Sequence, residues 1–327
     1  MQAIVLVGGE GTRLKPLTDA IPKPALTLVD RPLLVYMIEW LAGHGVDEVV
    51  LACGFLPQAL REALAGEEER AGVSIRYLVE PEPLGTAGAI RFAADQLGEE
   101  LDDRFLALNG DVLTDLDLSA LLEAHAKRAA RATIALHAVE DSSAYGLVRS
   151  DEEGEVLEFA EKTGEAVAGE VNAGMYVLER SVLDLIPPVG KISIERSIFP
   201  AMVGKKLRSL ALDGYWMDIG TPQRYLQASW DILERRVRTR VEPTGEGLLV
   251  DASAEVDPGA TVGPRAVVGP GCRLAAGAAV RDSVLLEGCS VGEGATVAGS
   301  ILAPGATVEA GAELRDAVAA PGERLPG

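Results

Sequence analysis

Histidine, cysteine and aromatic residues are scarce in this chain, and each shortage removes a class of function. Its three histidines (His44, His125, His137) have no metal-ligand spacing between them, and they are expected on the surface or within a sheet. No Ser-His-Asp or Cys-His set for nucleophilic catalysis is evident. The three cysteines (Cys53, Cys272, Cys289) show no C-x-x-C spacing and no disulfide framework, which suits a reducing compartment. Aromatic residues make up only 4%, so a hydrophobic content of 48% implies an aliphatic core of the kind found in α/β sheets and β-solenoids. Positive charge is short too. A net charge of −20 is poorly suited to nucleic acid or an anionic membrane, and any polyphosphate must be held locally by a few cations and metal. No apolar run approaches the ~18 residues of a membrane span. The start lacks the basic residues and apolar stretch of a signal peptide, so a cytoplasmic protein is expected.

What is present begins at the first residues. Ala3-Ile4-Val5-Leu6-Val7 is an unbroken apolar run with β-branched members and reads as a buried parallel strand. The loop Gly8-Gly9-Glu10-Gly11-Thr12-Arg13-Leu14 follows. Its glycines allow close backbone approach and N–H groups aimed at phosphate oxygens. Arg13 and Lys23, the latter clamped between Pro22 and Pro24, add two cations, and together they suggest a polyphosphate site. The loop is neither a Walker A motif, since Thr12-Arg13 follows Gly11, nor a G-x-G-x-x-G fingerprint.

Up to about residue 240, strand and helix patterns alternate. Helices are expected at Pro32–Gly43 (with one apolar face), Pro57–Leu64, Thr86–Leu97, Leu118–Ala129 and from Gln223 to about Arg236. Strands are expected at Glu48–Ala52, Val73–Val79, Arg104–Leu108 and Ala132–Ala138, and antiparallel segments after Tyr145. This is an α/β pattern with a Rossmann-like, mixed but mostly parallel sheet. Ligands then sit beyond the C-terminal strand ends, where the glycine loop and Asn109-Gly110-Asp111 both fall. The remainder is a repeat. Aliphatic residues recur six apart from Val250 to Val280, with five-residue steps to Leu285 and to Leu302 and six-residue steps elsewhere up to Leu314. A six-residue period with three faces per coil is a left-handed parallel β-helix. Cys272 and Cys289, seventeen apart, should stack as buried thiols on successive coils. The expected domains are 1–241, catalytic, and 247–327, β-helix.

Further motifs sit in order along the chain: Glu80, Pro83-Leu84-Gly85-Thr86-Ala87-Gly88, Asn109-Gly110-Asp111, Tyr145-Gly146, Glu161-Lys162, Asn172-Ala173-Gly174, Ser193-Ile194-Glu195-Arg196 and Trp216–Pro222. With the glycine loop and Pro22-Lys23-Pro24, they resemble the sugar-1-phosphate nucleotidylyltransferases over almost the whole chain, repeat included. Within that family the likeness is strongest to the mannose-1-phosphate guanylyltransferases. The resemblance implies that a nucleoside triphosphate and a sugar 1-phosphate combine to a nucleotide-sugar and pyrophosphate, here GTP and mannose 1-phosphate to GDP-mannose. Such a transfer needs positioning and charge neutralisation more than covalent chemistry.

It also implies residue roles. Leu6, Gly8, Gly9, Gly11, Thr12, Arg13, Glu80, Gly85, Thr86 and Gly88 would bind the nucleotide, with Arg13 on the pyrophosphate. Lys23 would neutralise charge at the α-phosphate, and Arg13, Lys23 and Asp111 form the catalytic set. Asp111 and Asp218 would ligate Mg²⁺. Gly146, Glu161, Asn172 and Gly174 would surround the sugar, and Lys162 would grip its phosphate. Thr163 stands where relatives often carry proline, which loosens the placement of that last loop.

Plainer readings stand beside these. Asp111 and Asp218 could be turn or cap residues, Glu161-Lys162 a solvated edge pair, and Asn172 a turn residue. Glu195 reads as structural and Trp216 as packing. A homo-oligomer is expected, with the β-helix at its interface. Three alternative functions remain in view. A thymidylyl- or uridylyltransferase acting on glucose 1-phosphate would prefer the glutamine that Pro83–Gly88 lacks. An acyltransferase repeat would want a histidine between coils, and all three histidines precede residue 138. A non-catalytic nucleotide-sensing paralogue would be expected to have lost Arg13, Lys23, Asp111 or Asp218.

Overall fold

A computed structural model of the chain describes residues 1–9, 11–54, 56–143, 145–160 and 166–326. Glu10, Glu161 and Lys162 therefore lie outside the described residues. The strands before the repeat are β1 (Gln2–Leu6), β2 (Thr27–Leu28), β3 (Arg31–Pro32), β4 (Glu48–Cys53), β5 (Ser74–Val79), β6 (Arg104–Asn109), β7 (Val112–Thr114), β8 (Ala132–Val139), β9 (Leu147–Ser150), β10 (Val156–Ala160), β11 (Gly169–Glu179), β12 (Leu207–Ala211) and β13 (Trp216–Asp218). The helices are α1 (Leu33–Gly43), α2 (Pro57–Ala63), α3 (Glu67–Ala71), α4 (Gly85–Leu97), α5 (Leu118–Lys127), α6 (Phe199–Met202) and α7 (Pro222–Leu233). Packing divides the chain into two units: Met1–Gly9 with Met37–Trp216, and Glu10–Tyr36 with Met217–Gly327.

The first unit is built on a nine-stranded mixed sheet whose main path runs β10-β9-β11-β6-β1-β4-β5. β1 lies parallel to both β4 and β6, with Leu6 opposite Ala52 on one side and Asn109 on the other. Ala3, Ile4 and Val5 are fully buried, as an apolar run without alternation requires. The long strand β11 departs from the β-α pattern. It runs antiparallel to β6 and β8, and β8 in turn pairs parallel with β12. This places Asn172–Gly174 at the same sheet end as Asn109–Asp111.

Two expectations change here. α1 does not bury a single face: every residue from 33 to 39 is buried. His125, expected on the surface or in a sheet, is on α5 and fully buried, four residues after Leu121 on the helix's apolar face. Its Nδ1 lies 2.8 Å from Thr133 Oγ1 and its Nε2 3.0 Å from Glu179 Oε1, while Arg104 also grips Glu179 at 2.7 Å. Burial holds the imidazole below its ordinary value of 6.5, and the Glu179 contact opposes this without cancelling it.

The unfolded chain therefore takes up a proton near pH 6.5 that the folded chain refuses, so stability falls as the pH drops below that value and levels off above it. Thermal unfolding of the wild type and of His125→Gln between about pH 5 and pH 8 checks this, because the substitution should flatten the acid limb. Equal slopes would assign the acid sensitivity to other groups.

The second unit contains the repeat. Its strands form three parallel sheets of five, five and four strands, the arrangement of a left-handed β-helix. The first coil is eighteen residues, with Leu248 opposite Ala266, and the later coils are seventeen, with Ala266 opposite Ser283 and Val284 opposite Ile301. Val268, Leu274, Val280, Leu285, Val291, Val297, Leu302 and Val308 fill the interior. Each shortened corner turns on one residue with positive φ: Asp282 (50°), Gly299 (61°) and Asp316 (49°). Cys272 and Cys289 are free, buried thiols. α7 packs on the strand Ser283–Leu285, where the outward residues Val267, Val284 and Ile301 are fully buried, and Arg265 lies 4.3 Å over the Trp230 ring. Among the described residues no helix is long and apolar enough to cross a membrane.

Candidate active site

The expected site residues fall into two sets, one on each unit. On the first unit, β1 ends where the chain enters Gly8-Gly9. The Gly110 N–H donates to Leu6 O at 2.9 Å, which ties Asn109-Gly110-Asp111 to the start of the glycine loop. A Cβ on Gly8 would stand 3.1 Å from Glu80 Oε1. Glu80 is buried there with its Oε2 accepting the Leu84 N–H at 3.0 Å. Burial raises its pKa, and that hydrogen bond only partly opposes the shift. Gly85, Thr86 and Gly88 form the first turn of α4. Gly174 has φ of 73°, and a Cβ there would meet Asn109 Nδ2 at 2.6 Å, so only glycine lets β11 close against the Asn109 side chain.

Gly146 and Asn172 line one cavity of about 480 Å³ together with Tyr145, Ser193, Glu195 and Arg196. This is within the usual range for a small-molecule pocket. Trp216 packs beside it, 5.4 Å from the Tyr145 ring and 5.6 Å from the His137 ring, and its indole N–H donates to Ala173 O at 2.9 Å.

On the second unit, Gly11 (φ 61°) opens the short helical turn Thr12–Leu14, and Pro22 leads the turn Lys23–Ala25. The Lys23 side chain is 9% exposed, and its Nζ lies 3.5 Å from Asp218 Oδ1. Thr221, a threonine just before Pro222 at the first helical position, caps α7 and accepts the Arg224 N–H at 3.3 Å. The Arg224 guanidinium then turns back to Asp218, reaching both Oδ2 and the backbone carbonyl at 3.3 Å.

Asp218 Oδ1 is buried and, among the described residues, has no hydrogen-bond partner. A buried carboxylate oxygen left open in this way is the hard donor that a divalent cation takes, and the nearby ammonium favours an ion that arrives already carrying phosphate. Among the described residues no three His, Cys, Asp or Glu side chains gather into a metal cage, so substrate and water oxygens would have to complete any coordination.

Arg224 was not singled out in the sequence. Its signal is a cation in the first turn of a helix, where the dipole disfavours it unless an anion is close. Arg13 lies against Gly220, where a Cβ would stand 2.8 Å from Nη2. Gly220→Ala should therefore displace the guanidinium and raise the KM for the triphosphate about tenfold, with thermal stability little changed. Steady-state kinetics with the nucleotide varied would test this, and an unchanged KM would separate Arg13 from nucleotide binding.

A family profile described as "Nucleotidyl transferase" matches residues 2–235, well over half of the chain. The chain belongs to the nucleotidyl transferase family. A second profile, "GMPPB C-terminal domain", matches residues 244–322. The mannose-1-phosphate guanyltransferase of Candida albicans is 41% identical over 296 residues, 88% of this chain and 81% of that protein. The one from Yarrowia lipolytica is 39% identical over 78% of this chain and 73% of its own length. Among solved structures, HddC from Yersinia pseudotuberculosis complexed with GMP-PN matches at a TM-score of 0.61 and 27% identity, over 71% of this chain and 99% of HddC. As a nucleotidyl transferase the protein is an enzyme of nucleotide-sugar synthesis. Family members use a nucleoside triphosphate and a sugar 1-phosphate and generally need a divalent metal.

Proposed function

We propose that this nucleotidyl transferase moves the guanylyl group of GTP onto mannose 1-phosphate, giving GDP-mannose and pyrophosphate. The observation that carries the chemistry is the Lys23–Asp218 pair, in which the buried carboxylate oxygen facing Lys23 has no hydrogen-bond partner among the described residues. The choice of substrates is supported by the similarity to the fungal mannose-1-phosphate guanyltransferases.

A sugar-phosphate oxygen attacks the α-phosphorus in line with the departing pyrophosphate, so the protein's task is to position and neutralise. Gly8, Gly9, Gly11 and Thr12 cradle the phosphates beside Leu6, Arg13 holds the pyrophosphate, and Lys23 meets charge growing at the α-phosphate. Glu80, Gly85, Thr86 and Gly88 bind the nucleoside. Gly146, Glu161, Asn172 and Gly174 hold the sugar, and Lys162 its phosphate. Asp111 and Asp218 would hold Mg²⁺, which when bound offsets phosphate charge. We assign catalysis to residues 1–241 and the β-helix to 247–327, in a cytoplasmic homo-oligomer.

Four nucleoside triphosphates assayed against mannose and glucose 1-phosphates, with pyrophosphate as readout, test the reading. The highest kcat/KM is expected for GTP with mannose 1-phosphate. A preference for thymidine or uridine triphosphate with glucose 1-phosphate would replace it. No release from any pair would leave a nucleotide-sensing protein.

A further inference from the structure

Glu195 lies on the π-helical turn Ile194–Ile198, and each of its carboxylate oxygens accepts from a hydroxyl elsewhere in the chain, with Ser193 adding a local third. Oε2 accepts from Thr86 Oγ1 at 2.8 Å and from Ser193 Oγ at 2.7 Å, and Oε1 accepts from the Tyr176 hydroxyl at 3.1 Å. We propose that Glu195 is a positioning residue that couples the nucleotide-side turn at Thr86 to the sugar pocket at Asn172. This rests on the nucleotide and sugar assignments proposed above.

The sense of the hydrogen bonds makes the case. A carboxylate only accepts, so the Tyr176 hydroxyl must spend its proton on Glu195 and present its lone pairs elsewhere. Asn172 Nδ2 donates to that oxygen at 2.9 Å, while Asn172 Oδ1 accepts the Gly174 N–H at 2.9 Å. The amide that lines the cavity is thus held at its oxygen by the Gly174 N–H and at its nitrogen by Tyr176, whose proton is committed to Glu195. Tyr176 is fully buried, and burial keeps its phenol protonated well above the ordinary range, so the donor stays available.

On the other side, Thr86 Oγ1 also accepts the Ile194 N–H at 2.8 Å. The Ala87 N–H donates to Ile192 O at 2.9 Å, and the Ile192 N–H to Leu84 O at 2.8 Å. The first turn of α4 and the segment bearing Glu195 are therefore stitched together, and a displacement of one is carried to the other. π turns recur at functional sites, and here the turn places one acidic group between two subsites.

Glu195→Gln keeps the shape but puts an amide donor where only an acceptor stood. In the full-length protein with GTP and mannose 1-phosphate, it should raise the KM for mannose 1-phosphate about tenfold, with thermal stability held. Thr86→Val should raise the same KM in the wild-type background, although Thr86 is on the nucleotide side, and should add nothing further in Glu195→Gln. A Thr86→Val and Tyr176→Phe double-mutant cycle gives the same reading should Glu195→Gln fold poorly, with less-than-additive effects expected. If Thr86→Val moves only the GTP KM, or if the effects simply add, the coupling is overturned. Asn172→Ala keeps the two failures apart. An unchanged KM for mannose 1-phosphate in that variant overturns the sugar-pocket reading itself, and the coupling with it. A raised KM alongside additive effects overturns the coupling alone.

Discussion

Asp218→Asn should lower kcat by two to three orders of magnitude, about the loss seen when one group that stabilises transition-state charge is removed. The side chain is divided in use. Arg224 holds Oδ2 at 3.3 Å, and Oδ1 is buried, 3.5 Å from Lys23 and otherwise open. Asparagine keeps the size and one oxygen but removes the negative charge that offsets Lys23 and attracts a divalent ion. The apparent affinity for Mg²⁺ should weaken together with turnover, which a metal titration of the initial rate would reveal. Asp111→Asn, at the end of β6 on the other unit, should fall comparably. Turnover within about threefold of wild type at saturating Mg²⁺ would remove Asp218 from the mechanism. A thermal unfolding curve beside the kinetics separates lost chemistry from lost fold.

Removing residues 244–327 should leave a chain that folds but unfolds at a markedly lower temperature. Glu242-Pro243-Thr244-Gly245 reads as a linker and suggests an independent tail, yet α7 shares a packing unit with it. α7 covers the strand Ser283–Leu285, Trp230 lies under Arg265, and the Tyr225 hydroxyl donates to Thr27 O at the other side of the helix. Truncation strips one face of α7 while leaving its other attachment. Exposing two large side chains costs about 3–6 kcal/mol, or a drop in Tm of roughly 10 °C for a chain of this size. Calorimetry of full-length and truncated protein reads this directly. An unchanged Tm would make the repeat an appendage, and failure to fold would move the domain boundary.

Both expectations draw on features that differ in how far the sequence announces them. The β-helix could be read residue by residue, because a six-residue period counts itself along the chain and each shortened corner marks its place. β1 and its glycine loop were legible for a similar reason, since an unbroken apolar run and three glycines are local signals. The pairing of β11 between β6 and β8 was not. Its antiparallel direction was expected from the change of pattern after Tyr145, but which strands it joins is a contact between distant segments that the local pattern of residues 169–179 does not name. His125 was misplaced because histidine is commonly a surface residue, although its spacing from Leu118 and Leu121 put it on the apolar face. Arg224 was passed over, and Glu195 was read only as structural, because their meaning lies in their partners. Asp218 is six residues from the first, whereas Thr86 is 109 from the second.

The sequence by itself determined the class of fold, the solenoid and its period, and the motif set that places the chain among the nucleotidyl transferases. These are written in neighbours along the chain and in residue types whose backbone or side-chain chemistry admits few uses. Only the tertiary structure decided that the segment carrying Thr27 packs on α7, that Arg224 takes one oxygen of Asp218 and leaves the other facing Lys23, and that one carboxylate at Glu195 ties Thr86 to Tyr176. Each of these depends on which buried donor meets which acceptor across long loops, and that pairing is set by the closing of the whole core.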